Sequence, residues 1–164
     1  PSTLKTIFSL TNRYGVPVCA DPTTASLAPR LCPHLPNLTL VTPNGAEARA
    51  LCDVQVTGRE SALVAAQKLV SHGVKIAIVT LGATGLVYAT SQESGHVPAI
   101  ECEIADLTGA GDALTAAVVF GLQHGFLVDE AVRLGASAAA LTLQTRETVR
   151  SDLSLERLYD QLMF

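Results

Sequence analysis

The 164-residue sequence contains no tryptophan and few aromatic or charged side chains. Aromatic residues make up 4% and charged residues 16% of the chain, against 48% hydrophobic residues. Its 11 basic and 15 acidic residues give a net charge of −4, and the basic residues form no run. We therefore expect no nucleic-acid-binding surface, which would need clustered Lys and Arg to meet the phosphates. The hydrophobic content is sufficient for the core of one domain of this length.

Long hydrophobic runs and paired cysteines are missing as well. No apolar stretch approaches the roughly 18 residues that a membrane span needs, and no secretory signal pattern opens the chain. The cysteines lie far apart, with no C-x-x-C pair and no histidine at metal-ligand spacing: Cys19, Cys32, Cys52 and Cys102. Isolated cysteines of this kind are typical of small buried apolar residues in a reducing compartment. The sequence thus predicts a cytoplasmic protein that has neither a membrane nor a nucleic acid as a partner.

Strand and helix patterns alternate along the chain, which indicates an α/β fold. The predicted strands are 16–20, 38–42, 75–79 and 86–89. The fourth strand is expected to pair with the third across a glycine-containing turn, and an extended segment to run as far as Ile104. A capping box formed by Thr57 and Glu60 is expected to open one helix, and long apolar helices are predicted at 111–124 and 129–143. This order predicts a largely parallel sheet with helices on both faces, in a single domain spanning 1–164.

Three polar residues follow predicted strand ends. They are Asp21, Asn44 and Thr80. Ligands of parallel sheets bind beyond the carboxyl ends of the strands, and these ends share one edge of the sheet. The spacing alone therefore predicts that the three side chains converge at that edge.

The segment 106–112 reads Asp-Leu-Thr-Gly-Ala-Gly-Asp and leads directly into an apolar helix. Gly109 and Gly111 are expected to permit a tight turn in which consecutive N–H groups point at one anion. The start of the helix adds unpaired N–H groups and the positive end of its dipole. Asp112 would stand beside the anion, where its carboxylate can accept a proton from an attacking hydroxyl. This arrangement suits phosphoryl transfer, whereas the structural alternative is a glycine-rich turn that caps an ordinary helix.

The same segment resembles the second signature of the ribokinase-like, or PfkB, family of carbohydrate and nucleoside kinases. Two further stretches fit this family in the same order: 42–48 resembles its Asn-x-x-Glu motif, and 79–85 its nucleotide-contacting strand and turn. The resemblance extends from about Gly15 to the end of the chain. It implies a ribokinase-like three-layer fold and a kinase that transfers the γ-phosphate of ATP to a hydroxyl of a sugar or nucleoside.

The resemblance also implies roles for the residues of the glycine-rich segment. Asp112 corresponds to the general base, and Gly109, Ala110 and Gly111 correspond to the anion hole. Asp106 and Thr108 resemble the monovalent-cation site of family members, which implies K⁺ as a further ligand.

The remaining candidate residues resemble nucleotide and metal contacts. Asn44 and Glu47 correspond to the pair that organises Mg²⁺ and phosphate through water, the alternative being that the two residues only cap a helix. The predicted nucleotide contacts after the third strand are Thr80, Gly82 and Gly85, for which the alternative is a plain glycine hairpin. Ser137 and Leu141 lie on the helix that walls the adenine pocket in relatives, and a structural helix face is the alternative for both.

Several segments resemble the branch of the family that phosphorylates the 5′-hydroxyl of pseudouridine. They are 21–25, 40–44, 58–60, 94–95 and 148–154. Leu27 departs from that branch, whose members tend to carry Lys at this position. Another sugar therefore remains open as the acceptor, and so does a non-catalytic nucleotide-binding domain.

Members of the family are much longer than this chain, which opens at Pro1 within a helical pattern. The resemblance thus implies a C-terminal, nucleotide-binding part of a kinase, without the N-terminal half that carries the lid and grips the sugar. The implied partners are ATP, Mg²⁺ and a nucleoside or sugar substrate. The sequence leaves the oligomeric state open, a homodimer included, and with it whether the 164 residues are active alone.

Overall fold

The computed structural model describes residues 2–162. The chain divides into two compact units, Pro1–His96 and Val97–Phe164. The first unit carries the β-sheet, whereas the second is built from helices. Among residues 2–162, no helix is both long and apolar enough to cross a bilayer.

The first unit alternates helices and short strands in the order that the sequence predicts. Its helices are α1 (Ser2–Tyr14), α2 (Gly45–Cys52) and α3 (Arg59–Ser71), and a 3₁₀ segment spans Ala28–Asn37. Its strands are β1 (Cys19–Ala20), β2 (Leu40–Val41), β3 (Ile76–Thr80), β4 (Leu86–Ala89) and β5 (Ser94–Val97). The strands lie side by side in the sheet in the order β1-β2-β3-β4-β5.

The sheet is mixed, with parallel strands on one side and a hairpin on the other. Strands β1, β2 and β3 run parallel, and Cys19 stands opposite Leu40. Strand β4 runs antiparallel to β3, with Thr80 opposite Leu86, because the short turn between these strands leaves no room for a crossover. The α/β fold and the pairing of 86–89 with 75–79 are thus confirmed.

Both faces of the central strands are buried. Ala77, Val79 and Val87 belong to a core that also contains apolar residues of α2, α3 and the 3₁₀ segment. Ile78 and Tyr88, which point to the other face of the sheet, are buried as well. Burial on both faces explains why β3 is a nearly continuous apolar run rather than an alternating one.

Helix α3 begins differently from the prediction. Gly58 is the residue that precedes its first turn, so the third helical position is Ser61 and not Glu60. The Ser61 hydroxyl oxygen accepts the N–H groups of Thr57 at 2.8 Å and Gly58 at 3.1 Å. The predicted capping box between Thr57 and Glu60 is therefore wrong, since the helix starts one residue later than expected.

The second unit consists of α4 (Ala110–Gln123), α5 (Val128–Leu143) and α6 (Leu155–Leu162). Helices α4 and α5 approach closely because glycines lie at their contact. A Cβ atom at Gly135 would lie 2.6 Å from Val118 Cγ2, and one at Gly121 would lie 3.0 Å from Ala131 Cβ. Residues 98–104, near the beginning of this unit, have irregular backbone, so the extended segment expected up to Ile104 forms no strand there.

Candidate functional site

The segment 106–109 forms a tight turn that leads into α4. The Asp106 carboxylate accepts the N–H of Thr108 at 2.7 Å. Gly109 follows as the N-cap of α4, with a φ of 84° and a ψ of −9°. This left-handed conformation favours glycine, because a side chain would meet the backbone. A Cβ atom at Gly109 would also collide with the carbonyl oxygen of Thr148. Glycine is therefore required here both by the backbone angle and by the neighbouring chain.

Gly111 has a different place in the turn from the one predicted. It lies within the first turn of α4 and is not among the residues with positive φ. Gly109 has the positive φ of the turn, so the prediction that Gly111 also lets the backbone turn tightly is wrong. The first hydrogen bond of α4 runs from the Ala113 N–H to the Gly109 carbonyl at 2.9 Å. The N–H groups of 110–112 precede that bond and lie at the positive end of the helix dipole.

Asp112 lies in the first turn of α4 and is exposed. It borders a cavity of about 470 Å³ that runs along one side of α4. The cavity is lined mainly by small and apolar residues, among them Ala113, Ala116, Phe120 and Leu155. The carboxylate is thus next to the helix N-terminus and open to an approaching molecule, as a base that receives a substrate proton must be.

The C-terminal end of α5 holds the beginning of the turn. The Leu143 carbonyl accepts the N–H of Ala105 at 2.8 Å and that of Asp106 at 3.3 Å. The hydrogen bond from the Thr108 N–H is the main cause that holds the pKa of Asp106 below its ordinary value, and the Thr108 hydroxyl and Arg146 act in the same direction. Asp106 is therefore well suited to remain a carboxylate, with the Thr108 hydroxyl beside it.

In the first unit, Asn44 and Glu47 form a complete capping box at the start of α2. The Asn44 side-chain oxygen accepts the N–H groups of Ala46 and Glu47, both at 3.0 Å. The Glu47 carboxylate accepts the N–H of Asn44 at 2.9 Å and is 5% exposed. The structural alternative for this pair is thus realised in full. The role of this pair in Mg²⁺ binding stays a prediction. In that role, Glu47 would bind with a carboxylate whose orientation is already set by its hydrogen bond to the Asn44 N–H.

Asn44 and Thr80 lie next to each other at the carboxyl edge of the sheet. They form an isolated parallel bridge, and the Thr80 N–H donates to the Pro43 carbonyl at 3.0 Å. Asp21 follows directly after β1, where its carboxylate accepts the Thr23 N–H at 2.7 Å. All three residues therefore stand at the carboxyl ends of the parallel part of the sheet, where the sequence placed them.

The turn after Thr80 is the β3–β4 hairpin. Gly82 and Gly85 both have positive φ, at 57° and 94°, and the Leu81 N–H donates to the Gly85 carbonyl at 2.8 Å. The hairpin alternative is realised here too. Nucleotide contact by this turn stays a prediction.

Ser137 and Leu141 are placed in the core of the second unit. The Ser137 hydroxyl is fully buried and donates to the Leu158 carbonyl of α6 at 2.8 Å. Leu141 belongs to the hydrophobic cluster formed by α4, α5 and α6. These surroundings favour the structural alternative for both residues rather than contact with adenine.

Sequence reasoning missed the residues that support the turn from behind. Thr148 occupies the space next to Gly109, and Leu143 binds the two residues that begin the turn. Both are distant from 105–109 in sequence, and their contribution is made by backbone carbonyls that every residue carries. A linear pattern has no signal for contacts of this kind.

Comparison with known proteins identifies the class to which this fold and these motifs belong. Residues 1–154 match the model of the pfkB family carbohydrate kinases. The chain is 30% identical to pseudouridine kinase from Escherichia coli over 147 residues, which are 89% of this chain and 47% of that protein. It is also 30% identical to ribokinase from Staphylococcus aureus, over 84% of this chain and 45% of that one.

A solved structure agrees with these matches. Ribokinase from Arabidopsis thaliana, complexed with ribose and ATP, superposes with a TM-score of 0.78 at 26% identity, over 96% of this chain and 51% of that one. The chain therefore belongs to the pfkB family of carbohydrate kinases. It spans about half the length of the relatives that it matches.

Proposed function

We propose that this chain is the nucleotide-binding part of an ATP-dependent kinase that phosphorylates a hydroxyl group of a nucleoside or sugar. The observation that carries the proposal is the segment 106–112. Gly109, in a left-handed conformation, is the N-cap of α4, and Asp112 is exposed in the first turn of that helix. Anions bind at such helix starts, where unpaired N–H groups and the dipole act together. Membership of a carbohydrate kinase family supports the same reading.

In the proposed reaction, the oxygen of the acceptor hydroxyl attacks the γ-phosphorus of ATP, and Asp112 accepts the proton of that hydroxyl. One O–P bond forms, the bond to the β-phosphate oxygen breaks, and ADP leaves. The N–H groups of Gly109, Ala110 and Gly111 would stabilise the negative charge on the transferred phosphoryl group. Asp112 would act as the catalytic base, whereas the N–H groups of the turn would stabilise charge and take no part in proton transfer.

Mg²⁺ and K⁺ are the metal ions that this proposal includes. Mg²⁺ would neutralise phosphate charge, and Glu47 and Asn44 would hold it through water, since Mg²⁺ gives up its own water reluctantly. The oxygen donors of this pair fit a hard cation. Asp106 and Thr108 bring a carboxylate and a hydroxyl together, which suits K⁺, although the bond from the Thr108 N–H competes for the same carboxylate.

Pseudouridine is the acceptor that we propose, through its 5′-hydroxyl. Support comes from the E. coli pseudouridine kinase match and from the segments that resemble that branch, among them 148–154. Ribokinase from S. aureus matches equally well in identity, so ribose is the competing acceptor. Leu27 is the position that separates this chain from the pseudouridine branch. It is partly exposed beside the Thr24 turn, where its N–H donates to the Thr24 hydroxyl at 3.3 Å.

The test is the substitution Asp112→Asn. Because the chain spans about half of its relatives, turnover is measured after joining it to the part of E. coli pseudouridine kinase that the match does not cover. We expect kcat to fall by roughly 10²–10⁴, the usual effect of losing a general base. The affinity of the 164-residue chain for ADP, measured by calorimetry, should change by no more than a few fold.

Glu60→Gln is the matched control, because Glu60 is also an exposed acid in the first turn of a helix, α3. Any loss that comes only from the helix dipole should appear equally in both variants. Equal turnover of the wild type and Asp112→Asn would remove Asp112 from the mechanism. Failure of the wild-type chain to bind ADP would overturn the proposed function itself.

A further inference from the structure

The segment that follows α5 lies directly behind the turn at 106–109. The Thr148 carbonyl oxygen lies so close to Gly109 that the Cβ atom of any other residue at this position would collide with it. The backbone around Thr148 therefore packs directly against Gly109, and a shift of that backbone would change the space in which the turn lies. No hydrogen bond between Thr148 and the turn is needed for this dependence, because the constraint is steric.

Arg150 ties this segment to the end of α5. Its Nη1 donates to the carbonyl of Leu141 at 2.7 Å, and its Nε donates to the Asp152 carboxylate at 2.6 Å. The Leu141 carbonyl is one of the last four of α5, which have no partner inside the helix and suit a cation. The carboxylate of Asp152 is also paired with Arg157 of α6.

The environment of Arg150 differs from that of the other paired arginines in this unit. Its side chain is 18% exposed, whereas those of Arg133 and Arg157 are both 47% exposed. Ion pairs at the surface contribute little, but a charge-assisted bond to a helix carbonyl in a partly buried position contributes more. Arg150 is therefore the arginine whose bonds can hold the backbone in place.

We propose that Arg150 is a positioning residue for the anion-binding turn. By fastening 148–152 to the C-terminal end of α5, it keeps the Thr148 carbonyl against Gly109 and thereby fixes the N–H groups of 109–111. The same end of α5 holds the start of the turn through the Leu143 carbonyl, so both sides of the turn are fixed to one helix end. That the turn binds an anion rests on the proposed function. The positioning of the turn by Arg150 does not rest on the proposed function.

The test is amide hydrogen exchange of the 164-residue chain, followed by NMR, for the wild type, Arg150→Met and Arg150→Lys. Met keeps the aliphatic stem and removes both hydrogen bonds. We expect the amides of Thr108 and Ala113, which are hydrogen-bonded to the Asp106 carboxylate and the Gly109 carbonyl, to exchange roughly tenfold faster or more in Arg150→Met, as for the loss of a hydrogen bond to a charged group. Amides of α2 in the first unit should be unchanged, since a general loss of stability would accelerate them too. Lys can reach one partner but not both, so Arg150→Lys should give an intermediate rate.

Arg133→Met is the matched control, because Arg133 makes a comparable bond to Asp129 at 2.7 Å at the surface of α5. It should leave the exchange of the Thr108 and Ala113 amides unchanged. If Arg150→Met does not fold, Arg150→Lys and Asp152→Asn carry the same test. Unchanged exchange of the Thr108 and Ala113 amides in folded Arg150 variants would overturn the proposal.

A titration with ADP separates this inference from the proposed function. We expect the Kd of the 164-residue chain for ADP to rise several fold in Arg150→Met and not in Arg133→Met. If the wild type does not bind ADP, the proposed function fails while the exchange rates still decide the role of Arg150. If exchange accelerates and the Kd for ADP stays the same, the turn moves without affecting the ligand, and the link between Arg150 and anion binding is wrong.

Discussion

Two constraints of different origin meet at Gly109. Its backbone has a φ of 84°, which residues with a side chain rarely adopt, and the Thr148 carbonyl fills the space in which a Cβ atom would lie. The sequence pattern predicts the first constraint, because glycine adopts positive φ readily and so permits a tight turn. The second comes from a residue that is distant in sequence and only the folded chain shows it.

The substitution Gly109→Ala tests both constraints together. The left-handed backbone alone should cost about 1–3 kcal/mol of the free energy of unfolding, and the collision with Thr148 should add to that cost. Urea unfolding at neutral pH measures the sum, and calorimetry with ADP measures the accompanying loss of anion affinity.

Gly125→Ala is the control for Gly109→Ala. Gly125 also has positive φ, at 79°, but a Cβ atom there would have no neighbour within 4 Å. We expect Gly125→Ala to destabilise the chain less than Gly109→Ala and to leave the affinity for ADP unchanged. Equal destabilisation by both substitutions would show that the backbone near Thr148 yields freely and imposes no constraint on the turn.

At the scale of elements, α2 is stabilised at its start by the reciprocal bonds between Asn44 and Glu47. Asn44→Ala removes the acceptor for two N–H groups and should lower the free energy of unfolding by about 1 kcal/mol, within a range of roughly 0.5–2. Glu47→Gln keeps an acceptor for the Asn44 N–H and should cost less. Urea unfolding of both variants tests this expectation, and a cost for Asn44→Ala below that of Glu47→Gln would contradict it.

Glu47→Gln also distinguishes a cap from a metal site. An amide can replace the carboxylate in the hydrogen bond of the cap, but it carries no charge toward Mg²⁺. If Glu47 only caps α2, the Mg²⁺ dependence of ADP binding should be the same in the wild type and in Glu47→Gln. The proposed metal role requires a weaker response to Mg²⁺ in the variant.

The link between α5 and α6 should be sensitive to acid. Hydrogen bonding from Arg150, with Arg157 acting in the same direction, holds the pKa of Asp152 below its ordinary value. A carboxyl whose pKa is lower in the folded than in the unfolded state stabilises the fold fully above its unfolded value, about 3.9. This contribution is lost as the pH falls through the lower folded value.

We therefore expect the urea midpoint to fall as the pH is lowered from 6 through the region below 4, and to fall less steeply in Asp152→Asn. Asp106 has a lowered pKa as well and should contribute to the same decline. Asp160→Asn, elsewhere on α6, serves as the control. A decline that is equally steep in Asp152→Asn and Asp160→Asn would show that the Asp152 bridge does not contribute.

At the scale of the whole molecule, the patterns that the sequence revealed are those with a local cause. The apolar run of β3, the glycine turn after Thr80 and the apolar periodicity of α4 and α5 depend on neighbours in sequence, and their elements lie where they were predicted. The start of α3 was missed by one residue, because Gly58 has an extended backbone that no composition rule anticipates. The bonds of Ser137 to α6 and of Arg150 to α5 connect distant segments, so the sequence offered no signal for them.

The length of the chain relative to its family gives the last prediction. The chain spans 47% of E. coli pseudouridine kinase, and the proposed anion, metal and nucleotide residues all lie within it. We expect the 164 residues to bind ADP measurably at high concentration but to transfer no phosphate to pseudouridine above background. Transfer needs the acceptor oxygen to be held in line at about 3–3.5 Å from the phosphorus, and such positioning lowers the activation barrier by several kcal/mol.

Joining the chain to the unmatched part of E. coli pseudouridine kinase should give turnover, because that part can supply residues that bind and position the acceptor. Assays with ATP, Mg²⁺ and a panel of nucleosides and sugars measure kcat/KM for each acceptor. Pseudouridine should exceed ribose in the wild type, and Leu27→Lys should raise kcat/KM for pseudouridine if this position contributes to the acceptor or phosphate site. Ribose exceeding pseudouridine tenfold, about 1.4 kcal/mol in transition-state preference, would reject the proposed acceptor and leave the kinase assignment intact. Robust turnover by the 164 residues alone would show instead that the acceptor is held by residues of this chain.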